Sequence, residues 1–231
     1  LLLAGGHFGK PGAGACPVRG HSNVQGDRTV GINHHPTEDF ISSCENETGI
    51  NMPRNKGYDV VEFIQAALQG RVRTFMALGG NLVSAMSDTE RVAEAISKID
   101  LTVQISTKLN RSHLITGREA LILPCLGRTE RDPAGFVSVE NSMGLVHSSE
   151  GSLKPASENL LSEPEIISRI GKELYPGGPM DWNLYSDHEN TRYLISRCIP
   201  GFEDYNTKVR SKGGFYLPNG PRDGPIWNTP S

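Results

Sequence analysis

The sequence has few cysteines, and they lie far apart. Its 231 residues contain four, and no two of them form a C-x-x-C pair: Cys16, Cys44, Cys125 and Cys198. The spacing therefore offers no zinc ribbon, no local iron–sulfur motif and no thioredoxin-like redox pair. Such sparing use of cysteine fits a reducing, cytoplasmic compartment.

Long apolar runs and an excess of basic residues are also missing. Only 36% of the residues are hydrophobic and the formal net charge is −3. No segment is apolar enough to span a membrane, and Leu1 to Ala4 is too short for a signal peptide. Because nucleic-acid binding needs a basic surface, we expect neither nucleic acid nor membrane as a partner.

Glycine and proline are plentiful instead, with 26 and 15 copies. Together with the low apolar content, they predict a loop-rich, core-poor chain, which we interpret as a piece of a larger protein. Five glycines fall between Gly5 and Gly14, and the polar stretch from Cys16 to Asp27 follows. Glycine permits positive φ and close approach of the backbone to a ligand. We therefore predict an active-centre loop here, followed by an irregular, polar excursion up to Lys56.

The middle of the chain has the pattern of a parallel α/β unit. Apolar residues at helical spacing predict an amphipathic helix from Tyr58 to Gln69. The apolar runs at 74–78, 101–105 and 120–124 predict three strands, of which the first and third have the pattern of fully buried strands. A capping box at 87–90 begins a helix between the first two strands. The right-handed crossover makes these strands parallel, as in a Rossmann-like, three-layer α/β fold.

The remaining third is less regular. Residues 136–139 predict an edge strand or a hairpin arm, and helices are predicted from Glu163 and from Trp182 to about Ile199. We divide the chain into a glycine-rich loop with an irregular excursion (1–56), a dinucleotide-binding α/β region (57–150), and a helical extension and linker toward a further domain (151–231).

Small and polar residues follow the predicted strands. Ligands of parallel sheets bind beyond the carboxyl ends of the strands, which places six residues on one rim: Gly79, Gly80, Asn81, Gln104, Ser106 and Thr107. Bare glycine backbone admits a phosphate or ribose, and a helix beginning near Ser87 offers free N–H groups. A tight structural turn explains the pattern equally well, because G-x-G-x-x-G is absent and no acid ends the second strand. An NAD-dependent dehydrogenase is therefore the least favoured class, and the absence of G-x-S-x-G disfavours a serine hydrolase.

Four other residues are candidates for chemistry. Arg19 would hold an anion and His21 would move a proton, although solvated surface side chains explain both. Cys125 is a nucleophile or metal thiolate in one interpretation and a small buried filler in the favoured one. The histidines near His34 would bind metal with Cys44 only if the fold joined them, and a surface excursion is the simpler interpretation.

Several of these stretches resemble, in order, motifs of the molybdopterin oxidoreductases of the formate dehydrogenase type. Residues 19–26 are similar to the R-G-x-x-N-V-Q-G signature, and the overlapping C-P-V-R-G-H at 16–21 resembles the version of the YdeP-like branch. Residues 77–81 resemble the G-x-N-P segment, and 101–104 the V-V-x-Q strand. Residues 119–124 resemble A-D-V-V-L-P, 135–144 the G-T-x-x-N-x-E-G hairpin, and 215–231 a run before the family's last domain. The chain is identified as a central fragment of a member.

The resemblance implies part of a formate dehydrogenase/DMSO reductase-type fold with bis-molybdopterin guanine dinucleotide carrying Mo or W. Arg19 corresponds to the arginine beside the metal and His21 to a pterin-contacting position. The cofactor would contact nine further residues: Gly20, Asn23, Gln25, Gly79, Gly80, Asn81, Ser84, Gln104 and Ser106. Leu82 replaces a usual proline, and Ile105 stands where many members have aspartate.

The family's 4Fe-4S cluster and metal-ligating cysteine lie upstream in the full-length protein, so the fragment alone is expected to be inactive and to supply no metal ligand. The resemblance thus implies an oxidoreductase that takes electrons from a small molecule such as formate. Its partners would be the other parts of the same polypeptide and an electron-transfer subunit. The alternative is a catalytically silent remnant that binds a nucleotide or a partner chain.

Overall fold

The three predicted apolar runs form one parallel sheet. The computed structural model describes residues 1–224 and 226. Within them, strands pair in the order β1-β2-β3, and each pairing is parallel. A second, antiparallel sheet has the order β4-β5-β6. The strands are β1 (Thr74–Leu78), β2 (Leu101–Ser106), β3 (Glu119–Pro124), β4 (Val137–Glu140), β5 (Leu145–Ser149) and β6 (Phe215–Tyr216). The predicted α/β class and the predicted hairpin are confirmed, whereas β6 was not predicted.

Helices connect and cover these strands. The α-helices are α1 (Val24–Thr29), α2 (Glu38–Thr48), α3 (Val60–Leu68), α4 (Leu82–Ala85), α5 (Thr89–Ser97), α6 (Glu163–Leu174), α7 (His188–Cys198), α8 (Tyr205–Lys208) and α9 (Gly220–Asp223). Two short 3₁₀ helices span Arg111–Leu114 and Trp182–Ser186. In the described part of the chain, no helix has the length and apolarity that crossing a bilayer requires.

The parallel sheet is the middle of three layers. Helices α3 and α5 pack on one face through Ile64, Val92 and Ile96, together with Phe75 of β1. Helix α6 packs on the other face, where it covers Val103 and Ile105 of the central strand with Ile166 and its neighbours. Strand β2 is therefore buried on both faces, and its polar Gln104 lies among apolar neighbours.

The outer strands differ from the prediction. We predicted that β1 and β3 are buried on both faces, but Met76, Leu78 and Leu121 are 40%, 53% and 51% exposed. The reason is placement, since both are edge strands of the described sheet and α6 covers only its centre. A continuous apolar run cannot distinguish a central strand from an edge strand whose outer face is open.

The start of α5 also differs. Helix α3 begins at the predicted place, where Asp59 accepts from the amides of Val61 and Glu62 in a capping box. The predicted capping box at 87–90 was wrong. The N-cap of α5 is Asp88, which has a left-handed φ of 58° and accepts from the amide of Arg91. The separate short helix α4 precedes it.

Two helices lie where the sequence predicted an irregular excursion. Helix α1 has six residues and begins inside the polar stretch at Val24, and α2 begins after the N-cap Thr37 and ends before the left-handed Gly49. Both escaped prediction because each has a single buried residue, Gly26 and Ile41, so there is no apolar stripe to see. The predicted helix from Trp182 to Ile199 is likewise divided, because Asp187 ends the 3₁₀ turn and caps α7.

The helix predicted from Glu163 is confirmed, with Ser162 as its N-cap and a proline in its first turn. The three-part division of the chain stays a prediction, and the end of the 151–231 part, at 225 and 227–231, lies outside the described residues.

Candidate functional site

The Gly79–Gly80 turn leaves the carboxyl end of β1. The two glycines have φ values of 69° and 81°, a left-handed conformation that other residues rarely adopt. A Cβ at either position would meet nothing within 4 Å. The turn therefore needs glycine for its conformation, and it also presents bare backbone to open space, which agrees with both interpretations of the motif.

A small pocket of about 20 Å³ opens beside this turn. Four predicted rim residues line it, because the carboxyl ends of β1 and β2 are neighbours in the sheet: Gly79, Gly80, Gln104 and Ser106. The other lining residues are mostly apolar: Phe75, Ala77, Leu82, Val83, Ile96, Ile105, Ser112, His113 and Ile115. Its volume fits about one water-sized group.

Ser112 is hydrogen-bonded both to Asn81, which follows β1, and to Gln104 of β2. Its Oγ donates to Asn81 Oδ1 at 2.6 Å and accepts from the amide of Val83 at 3.1 Å, while its carbonyl accepts from Gln104 Nε2 at 3.3 Å. Asn81 and Gln104 thus lie on the same side of the sheet. The side chain of Asn110 also bonds to the glycine turn, because its Nδ2 donates to the Gly80 carbonyl at 2.9 Å.

The side chains of the other rim residues either bond to a neighbouring residue or are exposed. Ser106 Oγ donates to the Lys108 carbonyl at 2.9 Å, and Ser84 and Thr107 are exposed. The predicted helix start near Ser87 is not beside the glycine turn, because four-residue α4 intervenes and the Asp88 carboxylate already accepts from the first turn of α5. A helix therefore begins close to the predicted place, but one of its N–H groups is already bonded and α4 separates it from the glycine turn in the chain.

The predicted active-centre loop lies against the other sheet. Arg19, Gly20 and His21 are exposed, and within the described residues the side chains of Arg19 and His21 make no hydrogen bond or ion pair. Such exposure leaves both side chains available to a ligand or to another part of the protein. It does not by itself distinguish a functional arginine from a solvated one.

Asn23 and Gln25 fasten this loop to the β4–β5 hairpin. Asn23, with φ of 67°, accepts from the Glu140 amide through Oδ1 at 2.9 Å, and Gln25 Nε2 donates to the Glu140 carbonyl. Ser142 Oγ adds a bond to the Pro17 carbonyl at 3.0 Å. Two acceptors stay buried without a partner in the described part, Gln25 Oε1 and Glu140 Oε2. The two amide side chains thus position the loop that carries Arg19.

The predicted site residues fall into two groups. The Arg19 loop belongs with the antiparallel sheet, and the Gly79 rim belongs with the parallel sheet. Four of the rim residues, Gly79, Gly80, Gln104 and Ser106, line one pocket, and neither Arg19 nor His21 is among its lining residues.

Cys125 lies in the core, and the candidate histidines belong to no metal-binding group in the described residues. Cys125 is 2% exposed and packs with Val103, Ile105 and Ile166, and burial raises its thiol pKa to about 11. Such a thiol stays protonated near neutral pH, as the filler interpretation requires. Within the described residues, no three His, Cys, Asp or Glu side chains come close enough to hold a metal.

The pocket contains a histidine that was not predicted. His113 is 8% exposed, lies in the 3₁₀ helix after β2, and lines the pocket. Its Nδ1 accepts from the Asn110 amide at 3.0 Å in a local capping arrangement. The N-x-x-H spacing is a weak signal for this cap, but nothing in the sequence places the residue beside the glycine turn.

The chain is similar to segments of much longer proteins. It is 51% identical over 229 residues to an uncharacterized oxidoreductase, Rv2900c, of Mycobacterium tuberculosis, which is 96% of this chain and 29% of that protein. It is 43% identical over 236 residues to YdeP of Escherichia coli, all of this chain and 31% of that protein. YrhE of Bacillus subtilis, which carries a provisional formate dehydrogenase name, is 26% identical over 206 residues, 86% of this chain and 20% of YrhE. The chain is a segment of a formate dehydrogenase-like protein.

This identification confirms the resemblance on which the motif assignments depend. The formate dehydrogenase-like segment spans under a third of the length of the curated relatives it matches, and no family model matches it. Two residues that depart from the family pattern both have apolar neighbours in the structure. Leu82 lines the apolar part of the pocket, and Ile105 is fully buried in the core under α6.

Proposed function

We propose that this segment supplies part of a guanine dinucleotide site in a formate dehydrogenase-like molybdopterin oxidoreductase. The observation that carries the proposal is the convergence of Gly79, Gly80, Gln104 and Ser106 around one pocket at the carboxyl ends of β1 and β2. Ligands of parallel sheets bind at this edge. The names of the relatives, oxidoreductase and formate dehydrogenase, support the class of reaction.

The residues present fit the outer part of such a cofactor. The pocket admits one small group, so a nucleotide would insert an edge there and lie across the open glycine backbone. Gly79 and Gly80 would receive the phosphates, with Asn81, Gln104 and Ser106 near the guanosine and Ser84 at the exposed end. Bis-molybdopterin guanine dinucleotide with Mo or W supplies two-electron redox chemistry when bound. Its metal ligand and a 4Fe-4S cluster would come from other parts of the polypeptide.

The Arg19 loop would face the reacting end of the cofactor. The planar guanidinium, with its five N–H donors, suits a small anion such as formate. Gly20 leaves room beside it, His21 would hold or move a proton, and Asn23 and Gln25 keep the loop on the hairpin. This arrangement requires the DMSO reductase-type fold, in which further domains and an electron-transfer partner complete the enzyme.

Analysis of the full polypeptide that carries this segment tests the proposal. Acid treatment of the purified protein should release GMP, and elemental analysis should find Mo or W, in a ratio of about two GMP to one metal because the cofactor carries two dinucleotides. Protein that is folded and expressed with a working cofactor pathway, yet contains neither, would contradict the proposed function.

Replacement of Arg19 tests the substrate role. In the loaded, full-length enzyme, Arg19→Ala is expected to raise the KM for formate roughly ten- to hundredfold, because a hydrogen bond to a charged group contributes about 1.5–3 kcal/mol. Arg28→Ala is the matched control, since Arg28 is also exposed and lies nearby on α1. Unchanged kinetics at equal metal and GMP content would remove Arg19 from the active centre.

Arg19 does not line the pocket beside the glycine turn, and this favours one second candidate, a segment that binds a nucleotide without catalysis. In that case the full polypeptide retains GMP but lacks formate oxidation, and Arg19→Ala changes neither property. Formate-dependent reduction of an artificial electron acceptor distinguishes the two candidates.

A further inference from the structure

Cys44 and Cys198 are far apart in the sequence and meet where α2 packs against α7. The Cys198 thiol donates a hydrogen bond to the Cys44 sulfur. Two contacts between their neighbours align the helices: Ser43 Oγ donates to the Cys198 carbonyl at 2.8 Å, and Arg197 Nε lies 2.5 Å from Glu47 Oε2. Both cysteines are free thiols. Hydrogen-bonded sulfurs need little movement to reach the S–S bond length of about 2.05 Å.

The surroundings of the two thiols give them different roles. Cys44 is half-buried, whereas Cys198 is 6% exposed, so a reagent in solution meets Cys44 first. Burial raises the pKa of both thiols, that of Cys198 to about 12, but the hydrogen bond from Cys198 lowers the pKa of Cys44 in part. The thiolate is the form that attacks a disulfide. Cys44 is therefore the attacking thiol, and Cys198 is the resolving one.

Proximity offsets the weak acidity of Cys198. At pH 7 a thiol with a pKa of about 12 is ionised in only about one molecule in 10⁵. However, well-oriented groups held in contact reach effective concentrations of about 10⁵ M or more, and a thiolate of high pKa is the stronger nucleophile. The negative charge of Cys44 also raises the pKa of Cys198, and that charge disappears once Cys44 is bonded to another sulfur. Cys198 can thus react with Cys44 although it is shielded from solution.

Helix α2 is the element that such a link would affect most. Ile41 is its single buried residue in the described structure, and the bonds of Ser43 and Glu47 to α7 are polar. Elements with few buried apolar contacts open locally at low free-energy cost. A covalent link between residues that are distant in the sequence restricts such opening.

We propose that Cys44 and Cys198 form a reversible disulfide, which is made by exchange with a small-molecule disulfide such as oxidised glutathione and which fixes α2 to α7. The Cys44 thiolate attacks one sulfur of the reagent, forms a mixed disulfide and releases the first thiol. The Cys198 thiolate then attacks the Cys44 sulfur and releases the second thiol. Two electrons pass from the cysteines to the reagent, and their two protons end on the two released thiols.

Peptide mapping of the folded, full-length polypeptide tests the pairing. The protein is treated with oxidised glutathione at pH 8, free thiols are alkylated, and the disulfides are identified by mass spectrometry. We expect a peptide pair that joins Cys44 to Cys198 and that dithiothreitol removes. Cys198→Ser should instead retain glutathione on Cys44, whereas Cys44→Ser should leave Cys198 unmodified. Cys16→Ser is the control and should form the cross-link at the wild-type rate.

Hydrogen exchange of α2 tests the effect of the link. It compares the oxidised and reduced forms of the same wild-type protein, so the comparison does not depend on whether a variant folds. The amides of residues 38–48 should exchange at least tenfold more slowly in the oxidised form, because the link restricts the opening of α2. In Cys44→Ser the same treatment should leave the exchange of α2 unchanged.

Three results would overturn the inference. Folded wild-type protein that yields no Cys44–Cys198 peptide, or yields it only after unfolding in guanidinium chloride, would show that the two thiols do not react as a pair. Glutathione that remains on Cys44 of the wild type would show that Cys198 does not resolve it. Equal exchange of α2 in the oxidised and reduced forms would show that the link does not fix the helix.

Discussion

Gly79→Asn in the full polypeptide is expected to lower the bound guanine nucleotide about tenfold or more. Gly79 has φ of 69° at the pocket mouth, and a Cβ there would enter open space. Asparagine tolerates this left-handed conformation better than other residues with a side chain. The substitution therefore places a side chain where a phosphate would approach the backbone, with little strain. The measurement is the GMP released per mole of purified protein.

Gly70→Asn is the matched control for this prediction. Gly70 has φ of 71°, a Cβ there also meets nothing within 4 Å, and it follows α3 at the opposite end of β1. Both variants thus change the same residue type in the same conformation. We expect equal melting temperatures and a loss of nucleotide in Gly79→Asn alone. Equal nucleotide content in the two variants would show that the turn at Gly79 is structural only.

Gly26→Ala is expected to weaken the attachment of the Arg19 loop by about 1–3 kcal/mol, although alanine is normally the better helix residue. Gly26 is buried in α1, and a Cβ there would overlap Asn23 Oδ1 and approach the Glu140 Cβ to 3.2 Å. Asn23 would have to leave the Glu140 amide, which would lose its partner. Hydrogen exchange of residues 17–30 in the full polypeptide measures the change.

A double-mutant cycle identifies the cause of this loss. Asn23→Gly removes the side chain and keeps the positive φ of 67° accessible. In that background Gly26→Ala meets no amide oxygen, so we expect the sign to reverse and α1 to gain about 0.5–1 kcal/mol from the better helix residue. A loss of equal size in both backgrounds would mean that the contact with Asn23 is not responsible.

Much of the fold was predictable because its signals are local. The apolar runs of β1, β2 and β3 and the capping residue Asp59 depend on neighbours a few positions away. Helices α1 and α2 lack such a signal, since each buries one residue, and β6 is two residues long. The exposed face of Leu121 was unpredictable for another reason: an apolar strand has the same sequence whether or not a helix covers it.

The candidate site was predictable in part. Gly79, Gly80, Gln104 and Ser106 could be placed together because parallel strands end at a common edge. The roles of Asn23 and Gln25 were not, since their partner Glu140 is more than a hundred residues away. His113 was missed because its position in the pocket wall depends on how the segment after β2 folds back on the sheet.

The sequence by itself determined the parallel α/β unit, the glycine turn after β1 and the membership in the formate dehydrogenase-like family, because each depends on residue types at short spacing. Only the tertiary structure decided which polar groups are satisfied. Hydrogen bonds between distant parts of the chain use the Oδ1 atoms of Asn23 and Asn81, whereas His113 Nε2 is buried and has no partner in the described part of the chain. Whether a donor is free depends on what packs around it, and that is a property of the folded chain.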